Sequence, residues 1–97
     1  MKKKLLPFDP SELLDSDEAI AAYLTQVLAD GDTDEVLRAI GHVAKARGMA
    51  HIADETGLGR ESLYKALRPG ANPRFDTILR VCHAIGVQFS AHPVAHA

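Results

Sequence analysis

The sequence predicts an all-α domain of five main helices, and three observations predict it. Apolar residues recur at i, i+3, i+4 and i+7 along most of the chain. Gly or Pro stands where each periodic stretch stops. Strand-like alternation is confined to one short stretch near the end, Val87–Ala91, where a brief strand is expected. Apolar residues at 46% and charged residues at 25% are ordinary globular values and exclude wholesale disorder. With 97 residues the chain makes one small domain whose core is modest, so a partner or a second copy would add stability.

The elements follow in order. Pro10-Ser11 opens a single turn through Leu14. Asp15, Ser16, Asp17 and Glu18 form the next start signal, since acids suit the electropositive end of a helix. Ile20, Tyr23, Leu24, Val27 and Leu28 then make an amphipathic stripe that Gly31 ends. Asp32 or Thr33 caps a helix striped by Val36, Leu37, Ile40, Val43 and Ala44, which stops at Arg47-Gly48. Met49–Thr56 makes two turns with Ile52 and Ala53 inward, and Arg60–Leu67 makes another short helix before Pro69-Gly70. The last helix, about Arg74 to Ala84, is expected to turn Phe75, Ile78, Leu79, Cys82 and Ile85 inward. The expected organisation is an acidic helical extension over 1–33 packed on a domain over 34–91, with a tail over 92–97.

Charge divides along the same line. Residues 1–35 hold three Lys against nine Asp or Glu, whereas 36–97 hold eight Lys or Arg against four acids. Such asymmetry points to two surfaces with different partners. Lys2, Lys3 and Lys4 precede only Leu5 and Leu6 before Pro7, so no secretory apolar stretch develops; no membrane partner and a cytoplasmic location are expected. The lone Cys82 forms no internal disulfide, and His83 beside it points about 100° away on a helix, unsuited to a nucleophile–base pair. His92 and His96 have metal-pair spacing, but Pro93 lies between them and no third ligand joins them. No enzymatic activity, metal or cofactor is expected.

The informative stretch is GMAHIADETGLGRESLYKALRPG, residues 48–70. Two short helices joined by a few residues containing Gly are the sequence form of a helix-turn-helix. Ala53 is expected to be small and tightly buried where the helices cross, and Gly57 to take a conformation that β-carbons penalise. Leu58 fills the angle, while Leu63 and Leu67 anchor the second helix. That leaves Glu61, Ser62, Lys65 and Arg68 on its opposite face, flanked by Tyr64. A short polar helix on a rigid core suits the major groove of double-stranded DNA.

Residues 34–89 resemble the lambda-repressor-like (Cro-type) helix-turn-helix domain, a five-helix bundle. More narrowly, three stretches resemble a family of addiction-module antidotes, the HigA-like antitoxins. They are FDPSELLDSDEAIAAYL (8–24), ARGMAHIADETGLGRESLYKAL (46–67) and GANPRFDTILRVCHAIGV (70–87). The resemblance implies an antitoxin that binds a RelE/HigB-like toxin and represses its own operon as a homodimer on operator DNA. His51 stands at a helix start where many such domains have Gln, and Gly59 where they have a Ser or Thr cap. The expected DNA-contacting set is therefore His51, Gly59, Arg60, Glu61, Ser62, Tyr64, Lys65, Arg68 and Arg74. Two alternatives stand beside this reading: a free-standing phage-type repressor, and a toxin-binding module that does not touch DNA. For the dimer, Val87, Phe89 and Ala91 on one strand face are the expected contact.

Overall fold

The computed structural model describes residues 16–95. The expected turn at Ser11–Leu14 lies outside them, as does His96. Five helices follow one another: α1 (Asp17–Asp30), α2 (Thr33–Arg47), α3 (Met49–Thr56), α4 (Arg60–Ala66) and α5 (Phe75–Ala84).

Local chemistry sets the boundaries. Ser16 Oγ accepts the Ala19 N–H at 3.1 Å and so starts α1. Asp32 Oδ1 takes the Asp34 and Glu35 N–H groups at 3.0 and 3.4 Å, which makes Asp32 the cap of α2. In α2, acids in the first turn (Asp34, Glu35) and bases in the last (Lys45, Arg47) oppose the helix dipole. A single residue, Gly48, then both ends α2 and starts α3. Its φ of +100° lets the chain turn between two helices with nothing else between them.

The helices enclose one core. Ile20 of α1, Ile40 and Val43 of α2, Ile52 of α3, Leu63 of α4 and Val81, Cys82 and Ile85 of the α5 region are all fully buried. Thus α1, the acidic helix, supplies Ile20 and Leu24 to the same cluster as the other four. An exposed ion pair, Arg47 Nη2 to Asp17 Oδ1 at 2.7 Å, joins the end of α2 to the start of α1. Such exposed pairs are worth only about 0–1 kcal/mol, so the apolar contacts hold α1 in place.

Four expectations about burial need correction, beginning with Leu28 of the α1 stripe, which is 44% exposed. Phe75 is 66% exposed and Leu79 is 41% exposed, whereas Val81, outside the expected stripe, is fully buried. The buried face of α5 runs through Val81, Cys82 and Ile85, with Ile78 half-buried. The two stripes share Ile78, Cys82 and Ile85 and the same period, and periodicity alone does not choose between their flanks. The choice comes from packing in the common core, where Val81, Cys82 and Ile85 are enclosed, and Arg80 Nη1 donates to the Thr56 carbonyl of α3 at 2.9 Å. Ala53 is half-buried rather than tightly enclosed, and the fully packed position nearby is Thr56.

The expected strand at Val87–Ala91 is absent; among the described residues there is no strand. Gly86 N–H bonds to the His83 carbonyl at 3.1 Å and Val87 N–H to the Cys82 carbonyl at 2.9 Å. This paired closure turns the chain back at the end of α5. Val87 and Phe89 consequently pack on the core of their own chain. Their alternation is that of a tail laid across an apolar surface.

Thr56 closes α3 with its side chain as well as its backbone. Its hydroxyl donates to the Ile52 carbonyl at 2.8 Å and accepts the Leu58 N–H at 3.3 Å. Thr56→Val keeps the shape and leaves the Leu58 N–H without that acceptor, at an expected cost of about 1–3 kcal/mol. Urea unfolding of the variant should show a lower midpoint at an unchanged m-value. A midpoint equal to that of the parent would mean that solvent satisfies the Leu58 N–H.

Candidate nucleic-acid interface

Between α3 and α4 lie only Gly57, Leu58 and Gly59. Gly57 has φ +76° and its N–H bonds to the Ala53 carbonyl at 2.9 Å, so α3 ends in the left-handed conformation anticipated for it. Leu58 packs half-buried against the core, as a plug between the two helices would. Gly59 is extended and gives α4 no side-chain cap.

α4 is anchored on one side and open on the other. Leu63 is fully buried and Leu67, its C-cap, is 6% exposed. Arg60, Glu61, Ser62, Tyr64 and Lys65 are all exposed along the helix, and Arg68 is exposed just beyond it. Two apolar anchors four residues apart leave the rest of the circumference to solvent. His51 is exposed on the first turn of α3. Arg74 caps α5 and its side chain is 85% exposed, with Nε 3.2 Å from Asp76 Oδ1. Asp76 also reaches Arg80 Nη2 at 3.7 Å, so the charge at Arg74 is partly countered locally. The structure therefore groups Gly59, Arg60, Glu61, Ser62, Tyr64, Lys65 and Arg68 on α4 and its ends. His51 and Arg74 sit on neighbouring elements.

Loop 68–74 is fixed at one point by the rest of the fold. Asp34 Oδ1 accepts the Gly70 N–H at 2.8 Å, tying the loop to the first turn of α2. A second bond, Ala71 N–H to the Arg68 carbonyl at 3.0 Å, makes the turn that follows α4.

A shallow cleft of about 370 Å³ opens beside α4, with Arg38, His42 and Lys45 of α2 facing Tyr64 and Arg68. None of the three α2 residues belongs to the expected DNA-contacting set, although a signal existed. They fall at i, i+4 and i+7, one polar stripe on the helix, and the search for an apolar stripe passes over it.

Elsewhere, acids collect at the junction of α1 and α2, where Asp30, Asp32, Asp34 and Glu35 are exposed. Partial burial, and then the charge of Glu35, push the Tyr23 phenol up, so it stays protonated at neutral pH. Among the described residues no three His, Cys, Asp or Glu side chains come together to hold a metal ion. Nor is any helix among them long and apolar enough to cross a membrane.

Comparison with known proteins decides the family. Residues 4–93 match the family described as "Probable addiction module antidote protein". The chain belongs to that family. It is also 42% identical over 89 residues to an uncharacterized protein of Haemophilus influenzae, covering 92% of each chain. No solved structure matches. Membership in an antidote family implies a toxin as partner.

Cys82 is the one thiol of this family member and is buried. Burial pushes the thiol up to about 11, which leaves it protonated and unreactive at neutral pH. Because the fold favours the neutral thiol, this contribution to stability is whole below the unfolded value near 9. It falls away as pH rises through about 11. A disulfide-exchange reagent at pH 8 should therefore label the native chain at least ten times more slowly than the urea-unfolded chain. Equal rates in the two states would contradict the burial of Cys82.

Proposed function

We propose that this chain is the antitoxin of a type II toxin–antitoxin module. It neutralises a RelE/HigB-like toxin by direct binding and represses its own operon as a DNA-binding dimer. On this reading α1, packed on α2–α5, completes a five-helix lambda-repressor-like helix-turn-helix domain, with α4 as the helix that enters the major groove. The observation that carries it is the open polar face of α4, held by Leu63 and Leu67, in a member of an antidote family.

The roles follow from chemistry. Lys65 and Arg60 suit guanine edges or phosphates, Glu61 can accept from cytosine, and Ser62 can serve either. Gly59, Tyr64 and Arg68 on α4 and its ends, with His51 and Arg74 on neighbouring elements, are read as the contacts to phosphates and sugars. A single short helix reads few base pairs, which is why such domains bind as two-fold pairs with half-sites about 34 Å apart. The acidic junction of α1 and α2 is the complementary surface for a basic toxin, and attraction of this kind speeds encounter. Antidote family membership favours this reading over a free-standing phage-type repressor. The cationic, open α4 face favours it over a module that binds toxin alone.

Lys65→Ala should weaken binding to the promoter fragment upstream of the gene by roughly 1–3 kcal/mol if the contact is to a base, with thermal stability nearly unchanged. Gel shifts on that fragment and on a scrambled duplex are the measurement. Unchanged operator affinity in both Lys65→Ala and Glu61→Ala would remove α4 from the role of reader. Co-expression with the neighbouring open reading frame tests the other half. The intact antitoxin should restore growth that the neighbour alone arrests.

A further inference from the structure

The cleft between α2 and α4 has a composition that the reading helix does not account for. Arg38, His42 and Lys45 form one stripe of α2, and Arg68 joins them from beyond α4. No Asp or Glu lines the cleft. Among the described residues none of Arg38, Lys45 and Arg68 takes part in an ion pair; those present involve Arg47, Arg74 and Arg80. Arg38, His42, Lys45 and Arg68 are all exposed, and the Tyr64 side chain, 40% exposed, stands at the edge with its hydroxyl available as a donor. Three permanent cations lining one cleft that holds no acid in its own wall repel one another, and an anion seated among them relieves that repulsion.

Position identifies the anion. Tyr64 and Arg68 belong both to the flank of α4 and to the cleft, so the cleft continues the proposed reading face sideways onto α2. A helix seated in the major groove is bordered by the phosphate strands that form the groove walls, about 12 Å apart. The element beside such a helix meets one of those strands. Phosphates are the only dense anionic array there, and contacts to them fix register and carry no sequence information.

We propose that the α2–α4 cleft seats the DNA phosphate backbone flanking the half-site, with Arg38 and Lys45 as its principal cations, His42 between them, and the Tyr64 hydroxyl and Arg68 completing it. This assignment rests on the operator-binding reading and adds to it three residues of α2 and a distinct role. The α4 face discriminates sequences. The α2 stripe supplies affinity that is blind to sequence and sensitive to salt.

The test is fluorescence anisotropy of the labelled promoter duplex and a scrambled duplex across a salt series, with the full chain. Each phosphate contact contributes about 0.9 to the slope of log K against log salt. The double variant Arg38→Gln/Lys45→Gln should therefore lose roughly 2 from that slope for each protomer bound. It should also weaken binding to both duplexes by the same factor, roughly tenfold or more at about 0.1 M salt. Lys65→Ala should weaken the promoter duplex more than the scrambled one. The charge-keeping variant Arg38→Lys/Lys45→Arg should restore the slope, which a merely structural role would not require. Circular-dichroism melts confirm that the exposed substitutions leave the fold intact. If the Gln variant keeps the parental affinity and slope while Lys65→Ala loses operator binding, the cleft assignment is wrong and the reading face stands. A Gln variant that binds DNA normally but no longer co-purifies with the neighbouring gene's product overturns the assignment in favour of a protein ligand. If the parent binds neither duplex, the operator reading fails and the cleft assignment falls with it.

Discussion

The presentation of α4 depends on how the end of α3 is held, and Thr56 holds it. Its hydroxyl bonds to the carbonyl of Ile52 and to the N–H of Leu58, on opposite sides of the turn. Its own carbonyl receives Arg80 from α5 at 2.9 Å. Side chain and backbone of one residue thus connect α3, the turn and α5. Buried polar groups stabilise when each finds a partner and destabilise when one does not, so this small network tolerates little rearrangement. Gly57 makes the bend and Leu58 fills it, but Thr56 sets the point from which the bend starts. A helix of seven residues has too few internal hydrogen bonds to stand alone, and α4 owes its persistence to this frame.

Charge is distributed so that one small fold carries two dissimilar surfaces. α2 carries both: Asp34 and Glu35 begin it, and Arg38, His42 and Lys45 run down one side of it. The same arrangement favours the helix dipole, with acids at the start and Lys45 and Arg47 at the end. A chain of net charge −2 can thereby present a cationic cleft. Local potential, not the net value, governs what approaches each face.

Much of the architecture was legible before the structure. The five helices and their Gly terminators follow from spacing and from residues with one strong conformational use. The start signals at 15–18 and 32–33 marked helix starts without choosing Ser16 and Asp32 as the caps. Leu63 and Leu67 also point where a four-residue interval requires. The misplaced residues share a cause. Phe75 and Leu79 satisfy helical spacing as well as Val81 does, and hydrophobicity marks a face without saying which of two adjoining faces meets a neighbour. Val87–Ala91 alternates like a strand because alternate residues of any extended segment crossing an apolar surface turn toward it. The α2 stripe was hidden for a different reason: its cations lie about twenty residues from α4 in sequence and become its neighbours only in space.

The amino-acid sequence by itself determined the helical class, the order and ends of the helices, the three-residue turn before α4 and the polarity of its outer face. Each of these is a short-range property, decided by neighbours within four residues through backbone geometry and side-chain direction. Only the tertiary structure decided the rotation of α5, the folding back of Val87 and Phe89, the role of Thr56 and the meeting of Arg38, His42 and Lys45 with Tyr64 and Arg68. These depend on which surfaces are in contact across long stretches of chain. Contact of that kind is chosen by the packing of the whole core, which no local pattern encodes.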